Sequence, residues 1–207
     1  MSDNNIPKFQ SLNPTKRDRI INAAMKEFQY GYKRASTDAI VKEAGISKGL
    51  LFHYFGTKER LYEFLLRYTN DLSRSEYQEM LDQGQRDILE VIWQSALLQR
   101  DLIERYPYIS EFSNGAMNHR EDIPAGMEDI FIKEGEADFD ELLKKCDTSL
   151  FREDIDAQKA ADLIFWAIGG CFDYAKVKGL SFEEFLEYVQ VYLDIFRRCF
   201  YKDGENL

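Results

Sequence analysis

The chain has 207 residues, of which 44% are hydrophobic and 31% charged, with 12 glycines and 4 prolines. That length suits one or two domains with a sizeable core, and the composition excludes a disordered, collagen-like or low-complexity chain. The net charge of −10 sets the molecule as a whole against nucleic acid. Yet residues 1–66 hold 11 basic and 7 acidic side chains, so they are +4 and the rest −14.

In chain order, Asn13-Pro14 reads as a helix start, with asparagine able to cap and proline tolerated at the first helical position. Ile20, Ile21, Ala24 and Phe28 follow at helical spacing, and Gly31 closes the segment. Ser36-Thr37 opens a short helix whose inner face is Ile40, Val41 and Ala44. Gly45-Ile46 makes a tight turn, and Ser47 caps a third helix, KGLLFHYF, with Leu51 and Phe55 facing inward and His53 and Tyr54 outward. Gly56 ends it. Thr57 caps a fourth helix that carries Leu61, Phe64, Leu65, Tyr68 and Leu72 to about Leu81. Ile88 to Ile103 forms another, stopped before Pro107. Residues 106–149 are helical in tendency, without clear boundaries. Ala160 to Phe172 marks a strongly apolar helix ended by Gly179, and Ser181 with Glu184 forms a capping box for the last one. No strand alternation competes, so the expected fold is all-α.

Cys146, Cys171 and Cys199 form no CxxC and no even set, which points to a reducing cytoplasm rather than a secreted disulfide scaffold. The opening MSDNNIPKFQ lacks the apolar stretch of a signal peptide. The longest apolar run, Leu163–Phe172, is half of the roughly 20 residues that a membrane span needs. The expectation is a protein away from the membrane, in the cytoplasm.

Residues 36–55 carry the chemistry. Two short helices joined through Ala44-Gly45-Ile46 describe a helix-turn-helix, which presents the start of its second helix to the major groove. There Lys48 can reach a phosphate or a guanine edge, Gly49 allows close backbone approach, and Leu50 offers apolar contact to a thymine methyl. Thr37 and Lys58 begin the flanking helices, where free N–H groups favour a phosphate. Screening confines repulsion from the acidic remainder to about 8 Å at physiological salt, so a basic head on an acidic body is compatible with DNA. The plainer reading is a fluctuation of surface charge.

The run GYKRASTDAIVKEAGISKGLLFHYFGTKERLYEFLL resembles the DNA-binding domain of tetracycline-repressor (TetR) family transcriptional regulators. The likeness spans about residues 14–66 and includes Phe28 and Gly31, AGIS, Tyr54-Phe55 and Lys58-Glu59. It implies an N-terminal arm (1–13), the DNA-binding head (14–66) and a helical ligand-binding and dimerisation body (67–207). It further implies phosphate contacts from Thr37, Ser47, Tyr54 and Lys58, and base contacts from Lys48, Gly49, Leu50 and His53. Leu50 stands where threonine is common and Phe52 where tyrosine is common, so hydroxyl contacts are lost there.

The last helix has a second apolar face, Tyr188, Val191, Ile195 and Cys199, and the helix before it is apolar all round, with Phe165, Gly169 and Phe172 on it. One buried stripe would need only the first face. The surplus suggests a twofold four-helix interface, against the alternative of a helix central to a monomeric core. An inducer pocket is implied by the resemblance alone, with Tyr68, Trp93, Phe112, Met117, Met127, Phe131 and Trp166 as candidate lining residues that could equally be core. Ligand binding would tilt the helix that starts at Thr57 and change the spacing of two heads. No cofactor and no metal site is expected. His119 lies in a polar stretch, residues 138–141 lack calcium-loop spacing, and no HExxH, GxSxG or P-loop occurs, so catalysis has no support.

The function expected is a ligand-responsive, one-component regulator, a repressor that binds a palindromic operator as a dimer and is released by a small apolar or cationic inducer. The alternative is a helical protein-interaction module with a degenerate helix-turn-helix and no operator binding.

Overall fold

The computed structural model describes residues 5–127, 130 and 139–202. The fold is all-α, and beyond one isolated antiparallel bridge between Phe151 and Tyr201 no strand occurs among the described residues. The helices are α1 (Ile6–Gln10), α2 (Pro14–Phe28), α3 (Thr37–Ala44), α4 (Lys48–Phe55), α5 (Lys58–Asp82), α6 (Ile88–Arg105) and α7 (Ile109–Asn118). They continue with the described helical residues 139–145 (α8), α9 (Ala157–Lys178) and α10 (Phe182–Phe200).

The chain forms two compact units, Met1–Ser73 with Asp101–Glu136, and Arg74–Arg100 with Ala137–Leu207. The first unit thus joins an N-terminal segment that runs to Ser73 with a later one that begins at Asp101.

In the first unit the helix ends form as their capping residues dictate. The Asn13 side chain accepts the Thr15 N–H at 3.0 Å, with Pro14 in the first turn. Ser36 accepts from Ala39, Ser47 from Leu50 and Thr57 from Arg60, each at 3.1–3.3 Å. Gly45 takes the left-handed φ of 61° that the turn between α3 and α4 requires. Ile20, Ile21, Ala24 and Phe28 of α2 are buried with Ile40, Ala44, Leu51, Phe55, Leu61 and Leu65 in one core. The arm before Asn13 is not a loose extension. It forms α1, and Phe9 is fully buried.

At Gly115, α7 meets the end of α2. A Cβ at that position would lie 2.3 Å from the backbone oxygen of Gln29, so the two segments can approach only over a glycine. His119, although it lies in a polar stretch of the sequence, is half-buried against the turn at Gly31, and Lys33 pairs with Asp122 at 2.8 Å. A polar cluster also ties α2 to the end of α6. Asp18 accepts from Arg105 Nε at 2.8 Å and from the Tyr106 hydroxyl at 2.9 Å. The Tyr106 and Tyr68 hydroxyls are 2.6 Å apart. Burial raises the Asp18 pKa, but the bonds from Arg105 and Tyr106 outweigh it and hold the carboxyl below its ordinary value. Burial, with the bonds to Tyr68 and Asp18, pushes the Tyr106 hydroxyl far up.

In the second unit Asp156 caps α9 and Gly179 ends it at φ 65°. The capping box of Ser181 and Glu184 forms in both directions at the start of α10. Ile164, Cys171, Phe185, Val189, Leu193 and Phe196 are buried with Leu89 and Val91 of α6. The end of α10 is fastened by Asp87, which accepts from Arg197 at 2.9 Å and from the Tyr201 hydroxyl at 2.6 Å. No helix among the described residues is long and apolar enough to cross a membrane.

Candidate nucleic-acid interface

The α3–turn–α4 segment places its residues on two sides. Leu51 and Phe55 face the core, as their spacing predicts. Ser47, Lys48, Gly49 and His53 are exposed, and Leu50 and Phe52 are half-buried. The start of α4 is therefore an accessible surface carrying one ammonium, one hydroxyl, a glycine backbone and an apolar side chain.

Tyr54 departs from expectation. It is 9% exposed and points inward, with its ring edge-on to Phe9 at 5.6 Å. Positions 54 and 55 are three and four residues from Leu51, so both fall on the same helix face. The partner that covers Tyr54 comes from α1, a helix that the sequence reading does not foresee. The Asn5 side-chain amide donates to the His53 carbonyl at 3.0 Å, adding a polar tie between the N-terminal segment and α4.

Thr37 and Lys58 begin α3 and α5, as expected. The two are less available than an isolated helix start would make them. Thr37 is half-buried, and Ser36 rather than Thr37 supplies the cap. The Lys58 ammonium lies 4.6 Å from the centre of the Tyr32 ring, donates to the Lys33 carbonyl at 3.4 Å, and has its pKa lowered by burial.

Lys48 itself is paired. Its ammonium is 2.8 Å from one Asp38 carboxylate oxygen and 3.0 Å from the other, across the two helix starts. Sequence reasoning misses Asp38 because an acid in a first helical turn is adequately explained by the helix dipole. Only the turn geometry brings it to a lysine ten residues on.

The expected pocket residues take mixed positions. Phe112 and Met127 are buried core of the first unit, and Tyr68 is half-buried, bonded to Tyr106. An open cleft of about 440 Å³ borders Tyr68, with Ile6, Phe64, Arg60, Arg67 and Asp71 around it. Met117, 53% exposed, stands on the surface of the first unit rather than in an enclosed cavity. Trp166, 69% exposed, does the same on the second unit. Trp93 is half-buried against the core of the second unit, and Phe131 lies outside the described residues.

The candidate interface residues of α9 and α10 divide. Tyr188, Val191, Ile195 and Cys199 are exposed at three- and four-residue spacing, as are Leu163, Trp166, Gly170, Tyr174 and Val177 of α9. The Tyr174 and Tyr188 rings, 5.7 Å apart, join the two stripes. Gly169 is exposed, and no neighbouring heavy atom lies within 4 Å of where a Cβ would stand. Phe172 instead packs edge-on to Phe185 at 5.5 Å, and Phe165 lies 4.6 Å from Phe139. Phe172 thus partly serves the unit's own core, while Phe165 stays 46% exposed. Among the described residues no group of three or more His, Cys, Asp or Glu could hold a metal.

Two short capped helices joined by the left-handed Gly45 turn, with the start of the second exposed, have the form of a helix-turn-helix, the unit that presents a helix start to a DNA groove. Residues 20–65 match the family of bacterial regulatory proteins, tetR family. The chain is 30% identical over 110 residues, 52% of its length, to the uncharacterized HTH-type transcriptional regulator YuxN of Bacillus subtilis. It is 38% identical over 64 residues, 30% of this chain, to the HTH-type transcriptional regulator BetI of Yersinia pestis. The chain spans only 38% and 32% of the length of these two relatives. The ketosteroid transcriptional regulator KstR2 of Mycobacterium tuberculosis shares the fold, with a TM-score of 0.69 at 18% identity over 93% of this chain and 98% of that one.

Proposed function

We propose that the protein is a one-component transcriptional repressor that binds a palindromic operator as a homodimer and is released by a small apolar or cationic ligand. The observation that carries this reading is the exposed start of α4, Ser47 to Gly49 with His53 and the half-buried Leu50, on a head whose inner helix faces are buried in one core. Lys48, Gly49, Leu50 and His53 face the bases, and Thr37, Ser47 and Lys58 face phosphates. Tyr54 supports α4 from within, so any phosphate contact it makes is limited to its exposed rim.

One such helix reads only a few base pairs, so specificity calls for two heads about 34–36 Å apart or somewhat more. The exposed stripes of α9 and α10 support a symmetric pairing, because apolar side chains at helical spacing on both helices stand exposed among the described residues. Residues 14–66 are then the reading head, and the rest supplies pairing and the ligand response, in the cytoplasm where the duplex is. The ligand acts by preferring the non-binding arrangement, a coupling typically of about 1–3 kcal/mol.

Gel-shift titration against the DNA flanking the protein's own gene tests the reading. A retarded complex that outlasts excess unrelated duplex and weakens steeply with salt is the expected result. Equal binding to flanking and unrelated DNA, or none to either, would favour the interaction module without operator recognition.

A further inference from the structure

Asp38 poses a physical question that the proposed operator binding does not answer. Its side chain is 74% exposed and that of Lys48 49%, and an ion pair so solvated contributes at most about 1 kcal/mol to stability. Holding the fold together therefore does not account for it. A carboxylate beside the surface that must meet phosphates also opposes sequence-independent attraction.

The dimensions of the pair suggest its use. In the major groove a G·C pair shows the guanine O6 acceptor beside the cytosine N4 amino donor. Those two atoms are hydrogen-bonded to each other, so they lie about 2.7–3.2 Å apart. Lys48 Nζ and the Asp38 carboxylate present a donor beside an acceptor at 2.8 Å, the complementary arrangement at matching spacing. An A·T pair also shows a donor beside an acceptor, but its flanks are wrong. The adenine N7 acceptor would face the carboxylate, and the thymine methyl would crowd the ammonium. At G·C the guanine N7 gives the ammonium a second acceptor instead.

We infer that the Lys48–Asp38 pair reads one G·C base pair in each operator half-site, the ammonium donating to guanine O6 and N7 and the carboxylate accepting from cytosine N4. Asp38 is then a specificity determinant that works in two directions. It adds a contact to the correct base pair, and it withholds Lys48 from phosphates elsewhere. The inference rests on the proposed DNA-binding function.

The test is selection of duplexes from a random pool by the full chain, wild type and Asp38→Ala. Binding of the wild-type winner, its single G·C-to-A·T variants and a scrambled duplex is then measured for both proteins. The expected wild-type winner contains a G·C pair whose replacement costs about tenfold or more. In Asp38→Ala that discrimination shrinks several-fold, scrambled duplex binds more tightly, and the salt slope on it steepens by about 0.9 per head as Lys48 gains a phosphate. Asp38→Leu, which keeps the size but offers no acceptor, carries the same expectation should the alanine variant melt early. Full retention of discrimination at every position in both variants overturns the inference while leaving the operator reading standing. Failure of the wild type to enrich any sequence removes both.

Discussion

The ring of Phe9 stands edge-on to that of Tyr54, centroids 5.6 Å apart, and so joins the N-terminal helix to the helix that faces the duplex. Phe9 also lies 4.7 Å from Phe55 and 5.4 Å from Phe64, so one side chain of α1 touches three rings of α4 and α5. Replacing a fully buried phenylalanine by alanine removes apolar contact and leaves a cavity, at a cost of about 3–5 kcal/mol. Phe9→Ala is expected to lower the unfolding free energy of the full chain by that order, read as a fall in its urea midpoint. Lys8→Ala, one residue away and exposed, is expected to shift it by about 0.5 kcal/mol or less. Equal midpoints for the two variants would mean that α1 does not brace the head.

Lys48→Ala and Tyr54→Ala should separate reading from support. Lys48 gives up only an exposed ion pair, worth about 0–1 kcal/mol, so its melting point should hold while DNA affinity falls. Tyr54 gives up a buried ring, so its variant should melt earlier by several degrees, with weaker DNA binding following from the loosened helix. Thermal melts beside gel shifts check both. An unchanged affinity for Lys48→Ala would remove that residue from the interface.

Asp18 sets a pH dependence whose sign follows from its depressed pKa. Despite the burial that raises it, the bonds from Arg105 and Tyr106 keep the folded-state value below the ordinary 3.8. The carboxylate's stabilisation is therefore complete above about pH 4–5 and is lost as the pH falls through the folded value. Asp18→Asn should destabilise the head at pH 7 by about 1–3 kcal/mol, since Arg105 and the Tyr106 hydroxyl lose a charged acceptor. The difference from wild type should narrow at pH 3. A gap constant from pH 7 to pH 3 in chemical denaturation would show that the charge of Asp18 is immaterial.

Sedimentation decides the pairing surface. Val191→Asp with Ile195→Asp places two carboxylates on the exposed stripe of α10 without touching its buried face, and is expected to convert a dimer to monomers that keep their helicity. Gly170→Ala gives a finer test. The glycine has open space beside it within its own unit, so alanine should strengthen α9 by about 1 kcal/mol while hindering close approach of a second copy. A wild-type chain that sediments as a monomer at micromolar concentration would end the dimer proposal.

The local frame of both units is legible in the sequence because its determinants are adjacent along the chain. Asn13, Ser36, Ser47, Thr57 and Ser181 each bond within three residues, and Gly45 and Gly179 take the conformation that their positions ask for. What escapes a sequence reading depends on chain segments far apart. A hydroxyl suits solvent, which turns Tyr54 outward on paper, yet the ring that buries it is 45 residues upstream. Asp38 gains its meaning from a lysine brought beside it by the turn. The middle of the chain has no strong periodicity, so the docking of α7 on α2, which depends on the missing side chain of one glycine, leaves no pattern to read. Exposure in α9 separates Trp166 from core aromatics of the same composition, a distinction that spacing alone cannot draw.

Anyone diversifying this chain in search of altered responses should treat position 115 as closed ground. With the Gln29 oxygen already where a methyl group would go, even alanine must push α7 off its seat. Libraries that randomise α7 would then fill with misfolded members for a reason unrelated to any ligand, unless that one codon is held fixed.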